Sequence, residues 1–242
     1  MRVVFMGTPA FAATCLSALL ETGAEVVGVY TKVDTPKNRG MKLIPSEVKT
    51  LALERGLPVF QPRSFREDAV YEELRALAPD LIVAVAYGKI LPQRVLDLPP
   101  LGCINIHGSI LPALRGAAPV QWAVLKDLPE TGVTAMYLNA GMDEGDVIAV
   151  RKTPIGETET AGQLMDRLAL LGAELLKDTL RDISAGTASR TPQDPAQATY
   201  APMLSRELSP IDWCLMSSYI SVISQAVVIR SARHTTETYY RN

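Results

Sequence analysis

Three observations predict an α/β fold built on a doubly wound, mostly parallel sheet. Short β-branched runs alternate with helix-period segments from Arg2 to His107, the runs are apolar enough to be buried on both faces, and Gly or Pro punctuates their ends. After His107 two strand-like segments follow each other with only a loop between them, which adds an antiparallel edge. Right-handed crossovers are expected throughout the parallel part.

Arg2 to Met6 reads as the first strand, ending at Gly7, and Phe11 to Leu20 as the helix that it feeds. Glu25 to Thr31 is a second strand, Ser46 to Arg55 a helix stopped by Gly56, and Val59 with Phe60 a short third strand. Phe65 to Leu77 is helical, Asp80 to Tyr87 a strand, Pro92 to Leu98 a brief helix, and Gly102 to His107 a strand. Ala118 to Leu125 reads as a helix, Gly132 to Leu138 and Val147 to Pro154 as the antiparallel pair, and Ala161 to Ile183 as a long amphipathic helix. From Ser184 to Pro202 the Gly, Thr, Pro and Gln content is that of a linker or an irregular wrap.

The 242 residues, 48% hydrophobic and 21% charged, suit a soluble globular chain with a real core. Against about 150 residues per domain, that length fits one large domain or one domain plus a fragment. Lys+Arg 24 against Asp+Glu 26 gives a net charge of -2, so no domain-wide basic field exists and any RNA contact must be local. Cys15, Cys103 and Cys214 are scattered and form no CxxC, which signals neither a disulfide framework nor structural zinc. The opening MRVVFMGTPAF turns too soon for a signal-peptide core, and the apolar stretch Leu81 to Tyr87 is far too short to span a bilayer. A cytoplasmic protein is expected.

Templates for phosphate cradles fail: there is no GxGxxG after Gly7 and no GxxxxGK[ST], nor any GxSxG, HExxH or EF-hand loop. The two histidines are His107 and His234, and His107 closes the strand Cys-Ile-Asn-Ile-His, where open α/β sheets place ligands. Asn105, two residues earlier, shares its face. An amide beside an imidazole can hydrogen-bond a developing oxyanion and manage a proton, whereas the structural alternative is a strand-end histidine satisfied by backbone. The acidic loop Gly141 to Asp146 is either a simple turn or a source of one carboxylate for His107, with Asp143 and Asp146 both open.

The stretch NIHGSILPALRGAAPVQ, Asn105 to Gln121, resembles the folate-dependent formyltransferase family, with Ile110 a conservative departure. That family carries its acidic residue in a loop of type LeuAspxGly, matched here by Met142, Asp143, Glu144 and Gly145, so the resemblance selects Asp143. MGTPAFA at 6–12, Arg39-Gly40, VFQP at 59–62, VAYGKILP at 85–92, RGAAPVQ at 115–121, ATYAPMLSRE at 198–207 and IDW at 211–213 extend the likeness over about residues 1–213. In these stretches the chain resembles the branch of that family whose acceptor is methionyl initiator tRNA.

The resemblance implies a Rossmann-like formyltransferase catalytic domain over 1–205 and formyl transfer from 10-formyltetrahydrofolate, without a metal, by Asn105, His107 and Asp143. Folate contacts are expected from Tyr87, Lys89, Ile90, Leu91, Ser109, Leu111, Pro112 and Asn139. Acceptor contacts are expected from Arg39 and Lys42, in a basic loop with Lys32 and Lys37, and from Arg115. A monomer is expected. Ala10, Ala113 and Trp122 depart from the family's usual residues, and Trp122 is similar to the sugar-nucleotide formyltransferases, which makes an amino-sugar nucleotide the alternative acceptor. The tRNA-formylating branch of that family continues after IDW into a second β-barrel domain. Here residues 206–242 read as a linker and an atypical Ser- and Tyr-rich tail, truncated relative to the family, so weakened tRNA binding or an inactive folate-binding remnant also follow as readings.

Overall fold

The computed structural model describes residues 1–37, 42–205 and 208; Arg39 and the segment from Cys214 to Asn242 lie outside the described residues. The chain begins with β1 (Arg2–Gly7), α1 (Ala10–Glu21) and β2 (Glu25–Tyr30). A small hairpin follows, β3 (Thr35–Lys37) against β4 (Lys42–Ile44), and then α2 (Glu47–Glu54) and β5 (Val59–Phe60). Next come α3 (Asp68–Ala76), β6 (Leu81–Val85), α4 (Gln93–Leu96), β7 (Cys103–His107) and α5 (Pro119–Leu125). The antiparallel β8 (Glu130–Tyr137) and β9 (Val147–Pro154) precede the 25-residue α6 (Ala161–Ala185).

Seven strands form one sheet in the order β5-β2-β1-β6-β7-β8-β9. The first five in that row are mutually parallel, and β8 runs antiparallel to both β7 and β9. The doubly wound sheet with an antiparallel edge is therefore the observed fold. All parallel strands end on one border, which carries Thr8, Thr31, Tyr87 and His107 in the loops and strand ends.

Alternation along the strands sorts the core into two layers. Val3 and Phe5 of β1, with Ile104 and Ile106 of β7, face α1, α5 and α6. Val4, Met6 and Cys103 face the opposite way, towards Leu74 of α3 and Val95 of α4. Helix α6 buries Leu164, Leu168, Leu175, Leu176 and Ile183 along one stripe. Truncating a fully buried leucine such as Leu168 in this layer would cost about 2–5 kcal/mol.

Local chemistry sets the helix ends. The Ser46 hydroxyl accepts the Lys49 N–H at the start of α2, and Thr160 and Gln163 form a reciprocal capping box at the start of α6. Gly186, at φ 70°, closes α6 in the left-handed conformation.

Two expectations need correction. Helix α3 starts at Asp68 rather than Phe65, because Phe65 turns inward, 2% exposed, to pack against Tyr30 and Tyr87. The β3–β4 hairpin occupies what reads in sequence as a loop; each strand has only three residues, too few to show a period.

Candidate active site

The histidine site is assembled from four places in the chain. Cys103, Asn105 and His107 occupy one face of β7, since the intervening Ile104 and Ile106 point into the other core layer. Asn105 is half-buried and His107 is 5% exposed. Across the antiparallel ladder His107 lies opposite Thr134.

The turn after β7 is built by Ser109 and by Thr134 of the neighbouring β8. Ser109 Oγ donates to the Ala113 carbonyl at 2.6 Å, and Thr134 Oγ1 donates to the Ser109 carbonyl at 2.6 Å while accepting the Leu111 N–H at 3.1 Å. This arrangement buries Ser109 and Leu111 and brings the Leu114 carbonyl to within 2.9 Å of His107 Nε2. A carbonyl can only accept, so Nε2 carries a hydrogen, and the Leu114 carbonyl is the contact that orients the ring.

The other ring nitrogen faces the acidic loop. The β8–β9 loop leaves the sheet near Ile104 and folds back along β7 until Asp143 Oδ2 lies 3.6 Å from His107 Nδ1. The same oxygen accepts the Gly116 N–H at 2.8 Å. Asp146 instead pairs its backbone carbonyl with the Tyr137 N–H, as the loop enters β9. Geometry thus places Asp143, of the two carboxylates, beside the imidazole.

Backbone strain gathers around this site. Of the five non-glycine residues with positive φ among the described residues, Ala86, Leu114 and Asp143 stand in the loops framing His107. Such conformations persist only where surrounding contacts hold them. At Gly145 any Cβ would collide with the Tyr137 carbonyl, which is why the loop needs glycine there.

The loop after β6 leaves the same border of the sheet, next to the end of β7. Ile90 is 91% exposed, while Leu91 is buried. The Lys89 ammonium donates to the carbonyls of Pro62 and Arg63, tying this loop to the one after β5. Burial, with Lys32 nearby, pulls the Lys89 pKa below its ordinary value. Tyr87 turns its ring inward against Phe65, and burial pushes its phenol pKa up. In the β8–β9 loop Met142 is exposed, and Asn139 Oδ1 accepts the Gly141 N–H in a turn.

Several expected contact residues are thus engaged by the protein itself. Arg115 is 3% exposed, with Nε and Nη2 donating to Gln193 Oε1 at 3.1 and 2.7 Å. The Lys42 backbone pairs with Lys37 in the hairpin, and Arg39 lies outside the described residues. Trp122 donates its indole N–H to the Pro202 carbonyl at 2.7 Å, with the Lys126 ammonium over the ring. Gln193 was not visible as a site residue in the sequence.

No group of three or more His, Cys, Asp or Glu side chains able to hold a metal occurs among the described residues, nor any helix long and apolar enough to cross a membrane.

The doubly wound sheet is one that formyl transferases share, and the chain belongs to that family: residues 1–180 match the formyl transferase family model. Its relatives include the methionyl-tRNA formyltransferases of Geobacter sulfurreducens, 50% identical over 213 residues, and of Ruminiclostridium cellulolyticum, 47% identical over the same length. Each alignment covers 88% of this chain, and 67% and 68% of those relatives respectively. Solved structures share the fold. A 4-N formyltransferase from Francisella tularensis superposes with a TM-score of 0.71 at 16% identity, covering 93% of this chain and 86% of that one. Glycinamide ribonucleotide transformylase 1 from Symbiobacterium toebii gives 0.67 at 22% identity, covering 80% and 93%.

Proposed function

We propose that residues 1–205 form a catalytic domain that transfers the formyl group of 10-formyltetrahydrofolate to the α-amino group of methionyl initiator tRNA. The observation that carries this reading is the placement of Asp143 at Nδ1 of His107, with Asn105 on the same strand face.

Attack of the amine on the formyl carbon forms a C–N bond and leaves a tetrahedral carbon bearing O⁻. The Asn105 amide donates a hydrogen bond to that oxygen, and His107 does so through Nδ1 in its imidazolium form, in which both ring nitrogens carry hydrogens. Because Nε2 is engaged by Leu114, Nδ1 is the ring atom left to face substrate and Asp143. Asp143, directly or through a water, takes the proton lost by the attacking nitrogen. As the oxyanion collapses, the bond from carbon to N10 breaks and the folate nitrogen takes up a proton. No step uses a metal.

The pterin would enter between the two exposed side chains Ile90 and Met142, with backbone groups of 87–91 and 139–143 as its polar partners. Tyr87 and Lys89 would then shape the wall from beneath, and Ser109, Leu111 and Pro112 would hold the floor. Arg39 and Lys42 would meet acceptor phosphates, with Arg115 acting from below the surface. The setting is cytoplasmic and the acting species a monomer.

Trp122 gives little support to a sugar acceptor, since its indole N–H is spent on Pro202. The discriminating experiment offers the protein 10-formyltetrahydrofolate with either methionyl initiator tRNA or an amino-sugar nucleotide. Formylation of the tRNA is expected, and formylation of the sugar alone would reject this acceptor.

A further inference from the structure

The irregular segment after α6 reaches back to the β8–β9 loop through one side chain. Gln193 Nε2 donates to the Asp143 carbonyl at 2.9 Å and to the Gly145 carbonyl at 2.8 Å. Its Oε1 accepts twice from the buried Arg115, so the amide is fully used on both sides. Arg115 in turn sits 3.7 Å from Glu144 through Nη1, and its backbone is bridged to Tyr200. These contacts link Asp143, Glu144 and Gly145 to residues 190–201, far away in sequence.

We propose that Gln193 is a positioning residue for formyl transfer, whose amide holds the Asp143 loop folded back against the His107 end of β7. The inference rests on the reading of Asp143 as a reacting group. Asp143 itself has φ 51°, a conformation that the loop would leave if its two carbonyls lost their donors. The buried guanidinium explains why glutamine suits this place: it offers an acceptor to Arg115 and two N–H donors to the loop at once.

The Gln193→Glu variant separates the two duties. A glutamate keeps the partner of Arg115, which protects the fold, but turns an acceptor towards the two loop carbonyls. Misplacement of this kind costs on the order of ten- to a hundredfold in kcat. The amide of Gly116, which donates to Asp143 Oδ2, should exchange with deuterium about tenfold faster. The double variant Arg115→Met with Gln193→Met removes buried charge and loop donors together and should show the same two changes. Wild-type kcat and wild-type Gly116 exchange in the folded variants would overturn the inference. Asp143→Asn serves as the control: if it is inactive while Gln193→Glu is normal, only the role of Gln193 falls. If Asp143→Asn is fully active, the reading of Asp143 falls, and Gly116 exchange alone decides whether Gln193 holds the loop.

Discussion

One oxygen of Asp143, Oδ2, lies 3.6 Å from His107 Nδ1 while accepting the backbone N–H of Gly116 at 2.8 Å. A single carboxylate oxygen thereby joins the β8–β9 loop, the end of β7 and the turn before α5. Asparagine at this position retains an acceptor for Gly116 but loses the negative charge.

Asp143→Asn is therefore expected to fold normally and to lose on the order of a hundredfold or more in formyl transfer. Asp146→Asn should be much milder, because Asp146 serves the loop through its backbone carbonyl. Steady-state rates of the two purified variants decide the matter; equal losses would mean that the loop carboxylates are not distinguished by their distance from His107.

Gly145 supplies a test without any change of charge. A side chain there would press on the Tyr137 carbonyl and shift the loop that carries Asp143. Gly145→Ala should lower turnover on the order of a hundredfold, with a smaller effect on thermal stability. Full activity in that variant would show that the loop tolerates displacement.

The architecture was largely legible because buried parallel strands and their helices leave long, periodic signals. Asn105 and His107 were placed on one face by the two-residue period of β7 alone. The carboxylate was not: both Asp143 and Asp146 fit the loop, and the choice came from resemblance to a family motif. Two contacts left no signal. The Leu114 carbonyl that orients His107 is backbone, and Gln193 acts across 50 residues from an aperiodic segment. Arg115 was expected at the substrate, but nothing in RGAAPVQ announces that its guanidinium is covered by Gln193.

The cysteines give a check on the core. Burial pushes the thiols of Cys15 and Cys103 up to about 12, far above neutral pH. Both should resist alkylation by iodoacetamide in the native protein and react after unfolding in guanidinium. Peptide mapping that found either one modified under native conditions would contradict their placement.

Acid stability should depend on Glu159. The hydrogen bonds from Arg167, aided by the Gly156 N–H, hold its carboxyl below the ordinary 4.5 despite partial burial. A carboxylate with a lowered folded value binds fewer protons folded than unfolded near that pH. Its contribution is therefore complete above pH 4.5 and is lost as pH falls through and below that value. Urea unfolding of Glu159→Gln should show reduced stability at neutral pH and a gap to wild type that narrows in acid. A gap that stayed constant with pH would mean the ion pair with Arg167 contributes nothing through its charge.

The most direct test is the single-turnover rate of formyl transfer from 10-formyltetrahydrofolate to methionyl initiator tRNA by His107→Ala, with both substrates saturating. The substitution removes the imidazole between Leu114 and Asp143 but little apolar area, so the fold should survive, as circular dichroism can verify. The expected rate is lower than wild type by at least about a hundredfold. A folded variant that transferred the formyl group at nearly the wild-type rate would remove His107 from the chemistry and contradict the account.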